Sequence, residues 1–333
     1  MARAGTLVLT RSDVAALLGL DECIAAVERA FRLHAEGRSL SPAVASVPSR
    51  DGAFHVKAAG LADETGRRSF VAKVNGNFPE NPRRHGLPTV QGVLVLADAD
   101  DGRPLAVMDS IEITIQRTGA ATAVAAKHLA RPDASVVTIY GCGVQGRIQL
   151  KALSRVLRLR KAYAFDIDAA RAAAYAREMS DELGFPVETV ADPATAPPAS
   201  DVCVTCTTAR QPFLRREHVA PGTLIAAVGA DNHDKQELDA DLVASSSVVV
   251  DVLESCAELG ELHHALAAGL MTREDVQATL ADVVAGRRPG RRSPEDVVVF
   301  DSTGTALQDV ATAALVYERA VAAGRGTPID FAR

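Results

Sequence analysis

The chain has 333 residues and a formal charge of −6, from 42 acidic against 36 basic residues. At roughly 150 residues per domain this length predicts about two domains, with cores large enough to need neither disulfide nor metal. Hydrophobic residues make up 47% and charged residues 23%, which excludes a disordered chain, while the mild acidity and 4% aromatics exclude a basic field or stacking platform for nucleic acid or membrane. The N-terminal segment MARAGTLVLTRSD carries no apolar run of signal-peptide length, and no stretch approaches the roughly 20 apolar residues of a membrane helix. A cytoplasmic location is expected, in keeping with cysteines that are scattered and odd in number: Cys23, Cys142, Cys203, Cys206 and Cys256.

Residues 12–37 read as helical. Ser12 or Asp13 is placed to cap a first turn, Val14, Leu17 and Leu18 repeat at helical spacing, and a second helix over 21–36 puts Ile24, Val27, Ala30 and Phe31 on one face. Residues 38–110 change character: short strands at 54–57, 70–74 and 92–97 alternate with Gly, Pro and Asn turns. Residues 110–130 predict an Ala-rich helix that stops before Pro132. A new pattern starts at Ser135, with strands at 136–140, 161–165, 187–190, 202–205, 224–228 and 248–252, and helices near 145–157 and 169–183. Strands alternating with helices predict a parallel sheet covered on both faces. One more Ala-rich helix covers 306–323, and the basic loop 287–292 reads as solvated surface.

The run Gly141-Cys142-Gly143-Val144-Gln145-Gly146 follows an apolar strand and opens a helix, the context that gives this glycine pattern meaning. The first glycine permits the tight turn, the second lets a pyrophosphate approach the backbone, and the third lets helix and strand pack closely. Asp166 ends the second strand, 20 residues after Gly146. An acid there bonds ribose hydroxyls and repels a 2′-phosphate, so NAD is expected rather than NADP. Asp168 lies past the strand end and is expected to cap the next helix. Cys203-x-x-Cys206 has no second pair at zinc spacing and sits on a strand, where neighbours point to opposite faces. Thr207 follows at the strand end, where such sheets edge the cofactor ribose.

Several further segments carry a resemblance. They are Lys73-Val74-Asn75-Gly76-Asn77, Gly86-Leu87-Pro88-Thr89, Arg117-Thr118, Val228-Gly229-Ala230-Asp231 followed by Lys235, and Phe300-Asp301-Ser302-Thr303-Gly304. With the glycine turn and Asp166, they make the chain resemble the ornithine cyclodeaminase/μ-crystallin family over nearly its whole length. The resemblance implies an α/β chain: a Rossmann domain with a doubly wound parallel sheet at 119–305, plus an α+β domain for substrate binding and dimerisation from 1–118 and 306–333. It also implies hydride exchange between an amino-acid α-carbon and nicotinamide, with an imine as the other state.

In that light Arg117 grips a substrate carboxylate, a task suited to a planar guanidinium, and the apolar residues around it argue against an idle surface position. Lys73 interrupts an apolar strand; buried there it needs a partner or loses its charge, and the resemblance puts it near the carboxylate and the attacking water. Asp231 matches the general acid/base for the amine proton. Thr89 and Thr118 match positions at the cofactor, Lys235 one near the cofactor or Asp231, and Ser302, Thr303 and Gly304 the segment that meets the carboxamide.

Two departures stand out. An Arg of the cyclodeaminases follows their early Ser-Pro pair, whereas Ser41-Pro42 is followed here by Ala43; and His55 stands where they carry an acid, with Lys57 two residues on. His55 and Lys57 share one side of their strand, either lining the pocket or facing solvent. A basic lining disfavours ornithine and suits a neutral side chain or a second acidic group. The leading expectation is an NAD-dependent amino-acid dehydrogenase or imine reductase, acting as a homodimer on a small amino acid, oxo acid or cyclic imine. The alternatives are a cyclodeaminase that recycles its NAD and a non-catalytic small-ligand binder.

Overall fold

The computed structural model describes residues 5–331, Ser41 by its backbone alone. In chain order come β1 (Thr6–Leu9), α1 (Arg11–Leu17), α2 (Leu20–Ala35), β2 (Ser39–Ser49), β3 (Gly52–Ala62), β4 (Arg68–Asn77), α3 (Asn81–His85), β5 (Val90–Asp98), β6 (Pro104–Asp109) and α4 (Ser110–Leu129). Then follow β7 (Val136–Tyr140), α5 (Val144–Val156), β8 (Lys161–Phe165), α6 (Ala169–Leu183), β9 (Val187–Thr189), β10 (Val202–Thr205), β11 (Arg210–Leu214), β12 (Leu224–Ala227) and β13 (Gln236–Leu238). Last are α7 (Ala240–Ala244), β14 (Ser247–Val250), α8 (Leu253–Leu259), α9 (Glu261–Ala267), β15 (Ala278–Thr279), α10 (Leu280–Val284), β16 (Val298–Asp301), α11 (Ala306–Ala323) and β17 (Thr327–Ile329). The chain divides into two units, residues 1–117 with 305–333, and residues 118–304.

The first unit is built on a seven-stranded sheet in the order β17-β1-β6-β5-β4-β3-β2, antiparallel except for the β1–β6 pair. Helix α11 packs on β3 and β4, and α2 packs on α11. Strand β4 shows why: Ser69, Val71, Lys73 and Asn75 are buried while the residues between them are not, the period-two signature of a sheet with one covered face. Helix α2 buries Ile24, Val27, Ala30 and Phe31 along the predicted stripe. The cap of α1 is Thr10 rather than Ser12 or Asp13. Thr10 Oγ1 accepts from Asp13 N at 3.3 Å and Thr10 N donates to Asp13 Oδ2 at 3.0 Å, so Asp13 closes a capping box from the third helical position. Strand β2 occupies residues to which alternation assigned nothing. It is the sheet's edge, nearly all exposed from Ala43 to Ser49, so burial wrote no pattern into it.

The second unit carries an eight-stranded, all-parallel sheet in the order β15-β14-β16-β12-β10-β7-β8-β9, with a small β11–β13 pair beside it. All five residues of β7 are buried, as are those of β10, β12 and β16. Strand β8 lies on one side of β7 and β10 on the other, so the winding reverses there, where open α/β sheets take ligands at the carboxyl edge. Strand β16 lies between β14 and β12, although its residues stood out in the sequence only as part of a motif. Strand β14 ends at Val250 instead of 252, because Asp251 turns to bond Ser302 and Gly304. Loop 287–292 is more than solvated surface. Arg291 Nε donates to Leu129 O at 2.9 Å and Arg288 Nη1 to Gln277 O at 2.9 Å, which pins the loop to the unit. Among the described residues no helix is long and apolar enough to cross a membrane.

Candidate functional site

In the first unit the inner face of the sheet carries a cluster of cations. Lys73 is 2% exposed, and its Nζ lies 2.6 Å from Asp309 Oδ2 and 3.4 Å from Thr114 Oγ1. Arg117, 6% exposed, approaches the other oxygen of Asp309 with Nε at 3.2 Å and donates from Nη1 to Gln308 Oε1 at 2.8 Å. Burial pushes the Lys73 ammonium down to about 7; Asp309 opposes this, while Arg117 and Lys57 reinforce it. Burial acts to raise the Asp309 carboxyl, yet Lys73, Arg117 and Lys57 hold it below its ordinary value. Two buried cations thus share one carboxylate, which leaves positive charge facing any anion admitted to them.

The ladder register places Lys57 opposite Lys73 and His55 opposite Asn75. Directly paired residues point to one side of a sheet, so His55 and Lys57 share the face of Lys73 and not the opposite one. Both are half-buried. Thr89, also half-buried, stands just before β5, its carbonyl accepting from Phe78 N at 2.8 Å.

In the second unit the glycine turn has the properties its spacing predicts. Gly141 adopts φ +99°, in the left-handed region open to glycine. A Cβ on Gly146 would lie 2.1 Å from Gly141 O, so helix and turn touch backbone to backbone. A Cβ on Gly143 would meet nothing within 4 Å, so the middle glycine opens onto free space. Helix α5 starts at Val144 with Gly143 as an N-cap that offers no side-chain bond, and its first-turn N–H groups are left for another acceptor. Arg147 Nη1 donates to Cys142 O at 2.8 Å and Gly143 O at 3.2 Å, bracing the turn from behind. Gln145 Oε1 is buried with no hydrogen-bond partner. A cradle that a side chain would fill and uncapped helical N–H groups fit a dinucleotide pyrophosphate.

Asp166 accepts from Cys142 N at 2.9 Å with Oδ2 and from Asp168 N at 2.9 Å with Oδ1, and Arg171 Nη1 lies 3.5 Å from Oδ1. Its carboxylate thus joins strand end to glycine turn. Asp168 caps α6 as expected, accepting from Ala170 N and Arg171 N.

Beyond β12 stands Asp231, half-buried. Lys235 Nζ donates to Asp231 Oδ1 at 2.6 Å and to Gly229 O at 3.1 Å, so Lys235 orients that carboxylate. The Lys235 carbonyl lies 2.8 Å from His264 Nε2, and the rings of His233, His263 and His264 meet edge to face. Thr207 donates from N and Oγ1 to Glu237. Ser302 Oγ and Gly304 N donate to Asp251, and Thr303 Oγ1 pairs with Ser255 Oγ at 2.7 Å. Thr118 stands half-buried on α4. Cys203 and Cys206 are free thiols, Cys203 pushed by burial up to about 12.

Sequence reading missed Asp309, Gln308 and Asp251. Asp309 and Gln308 sit in an Ala-rich helical stretch, and their one signal was an amide and a carboxylate among mostly apolar residues.

The family model described as "Ornithine cyclodeaminase/mu-crystallin family" matches residues 4–324. The chain is 40% identical to alanine dehydrogenase of Archaeoglobus fulgidus over 98% of its own length and 99% of that protein. Among solved structures it is similar to an archaeal alanine dehydrogenase dimer with bound NAD, at TM-score 0.93 and 39% identity, with 98% of this chain and 99% of that one covered. It is also similar to Thermococcus litoralis Delta(1)-pyrroline-2-carboxylate reductase in complex with NADH and L-proline, at TM-score 0.91 and 35% identity, with 97% and 100% covered.

Proposed function

The chain belongs to the ornithine cyclodeaminase/mu-crystallin family, and on that premise we propose that it is an NAD-dependent amino-acid dehydrogenase or imine reductase. Its substrate is a small amino acid, the matching oxo acid with ammonia, or a cyclic imine. The observation that carries this reading is the buried Lys73–Asp309–Arg117 group, a carboxylate anchor, in a chain whose glycine turn fits a dinucleotide. Bound NAD supplies the hydride acceptor, and its reduced form the donor. Gly141, Gly143, Val144, Gln145 and Gly146 are the residues to hold the pyrophosphate, Asp166 and Thr207 the riboses, and Thr89, Thr118, Ser302, Thr303 and Gly304 the nicotinamide end.

In this reading each unit has its own task. Arg117 and Lys73 bind the substrate carboxylate, Arg117 with a planar fork and Lys73 with an ammonium that Asp309 orients. His55 and Lys57, on the same face, contact the substrate side chain. Asp231, oriented by Lys235, takes a proton from the substrate nitrogen during oxidation and returns it during reduction. A water then hydrolyses the imine in the dehydrogenase direction. Val47, Phe54, Val74 and Val93 are exposed and lie on the opposite face of the first unit's sheet, and we read that apolar face as the one a second copy covers. Light scattering at the mass of one chain sinks the dimer.

The test is to follow NADH absorbance with purified protein, NAD and a panel of amino acids, with product masses taken from the same reactions. NADH accumulating with an oxo acid or imine is the expected result, and Asp231→Asn is expected to lose about 10²-fold or more in kcat. Ammonia loss with a cyclic product and flat NADH points to a cyclodeaminase and overturns the reading.

A further inference from the structure

Two buried carboxylates at the carboxyl edge of the parallel sheet touch only donors. Glu237, 0% exposed, accepts at Oε1 from Thr207 N and Thr207 Oγ1, both at 2.7 Å, and at Oε2 from Gly229 N at 3.1 Å. Asp251, 2% exposed, accepts at Oδ2 from Ser302 Oγ at 2.9 Å and Gly304 N at 2.7 Å, and at Oδ1 from Val252 N at 2.7 Å and Cys256 Sγ at 3.2 Å. An ionised carboxylate is acceptor-only, so it alone satisfies donors on both oxygens; an amide would set N–H against N–H. Burying such a group is costly unless every oxygen is bonded. The bonds also share one geometry. Glu237 joins the segment after β10 to the segment after β12, and Asp251, at the end of β14, holds the segment after β16. Those strands are neighbours in the order β14-β16-β12-β10, so the two carboxylates fix successive segments of one edge.

We propose that Glu237 and Asp251 are positioning residues: Glu237 sets the segment that carries Asp231, and Asp251 sets the Ser302–Gly304 segment. The proposal rests on the NAD-dependent reading, and it assigns the two carboxylates different consequences. In Glu237→Gln the amide oxygen still serves Thr207, while its N–H₂ opposes Gly229 N and frees the segment leading to Asp231. In Asp251→Asn one of two N–H donors, Gly304 N or Val252 N, loses its acceptor.

The experiment compares Glu237→Gln and Asp251→Asn by steady-state kinetics, NAD titration and amide hydrogen exchange, with thermal melting as the folding control. Glu237→Gln is expected to lower kcat about tenfold with the NAD dissociation constant within about twofold, and Asp251→Asn to weaken NAD about tenfold, the loss of one charge-assisted bond. Exchange is expected to quicken at Gly229 in the first and at Gly304 in the second. Ser302→Ala, which removes one donor to Asp251 from the far side, keeps that arm testable should Asp251→Asn not fold, and is expected to weaken NAD less. Glu237→Asp, which keeps the charge but shortens the reach to Gly229 N, does the same for Glu237. Wild-type kinetics with unchanged exchange, or equal losses of kcat and NAD binding in both variants, overturns the positioning roles. A wild-type protein that neither binds NAD nor turns over amino acids sinks the parent reading instead, and the exchange rates at Gly229 and Gly304 still decide whether the carboxylates hold their segments.

Discussion

In the first unit Lys73 and Arg117 share the carboxylate of Asp309, with Lys57 across the ladder from Lys73. In the second, Glu237, Asp251, Glu261 and Asp301 are all buried, and the donors they accept from are mostly backbone N–H groups: Gly229, Gly304, Glu237, Leu238 and Leu262. The first cluster has more cations than its own carboxylate neutralises, so it is completed by an anion from outside. In the second, most of the carboxylate oxygens are met from within, by donors that cannot move without moving the fold. One is therefore built to receive a ligand and the other to hold geometry, and a charge removed from each has opposite consequences.

The largest expected effect is at Asp309. Asp309→Ala strands two buried cations against each other, and breaking a buried pair in this way costs about 3–5 kcal/mol. Denaturant unfolding measures it. A loss below about 1 kcal/mol would show that water already reaches Lys73 and Arg117, and the contrast between the units would collapse.

The converse holds at Asp301. Burial lifts its carboxyl from 3.8 to about 7, with Asp251 adding to the lift and backbone N–H groups opposing it. Between those values the folded chain keeps a proton that the unfolded chain releases, so stability falls as pH rises through the window and the full loss is present above about 7. Asn has no proton to lose. Asp301→Asn is expected to match wild type near pH 4 and to exceed it at pH 8 by on the order of 1–3 kcal/mol. Melting temperatures at the two pH values check this; a variant less stable at pH 8 would mean that the charge itself is used.

Most of the second unit was legible because its strands are buried on both faces and write continuous apolar runs. Residues 136–140 and 202–205 are such runs, and they end where expected. The glycine turn was legible for a different reason: contact with Gly141 O forbids a side chain at Gly146, and open space at Gly143 admits a ligand, and sequence records both. Lys73 announced itself as a charge in an apolar strand. Its counter-charge did not, because Asp309 comes to it from a helix 236 residues away in sequence (309 − 73) and nothing in the local pattern links them. Thr10 was missed as a cap because its role depends on Asp13 bonding back to it, which spacing alone does not distinguish from a cap at Ser12. Edge strand β2 was missed because an exposed edge needs no alternation.

The smallest effect refines the cationic side of the contrast. Lys57 lies opposite Lys73 and helps to hold its ammonium low, near 7. A lysine with a depressed value is charged below that pH and neutral above it, so substrate carboxylate binding is expected to weaken as pH rises through about 7. Lys57→Gln removes one repelling charge and moves the Lys73 transition upward. On a plot of KM against pH from 6 to 9, the rise is expected to shift to higher pH by roughly half a unit, which at 1.36 kcal/mol per unit is under 1 kcal/mol. An unshifted profile with a uniformly higher KM would mean that Lys57 acts through its substrate contact alone and leaves the Lys73 charge unaffected. In that case the pair across the ladder is two separate contacts, and the surplus charge of the first unit is spread along the sheet instead of gathered at Asp309.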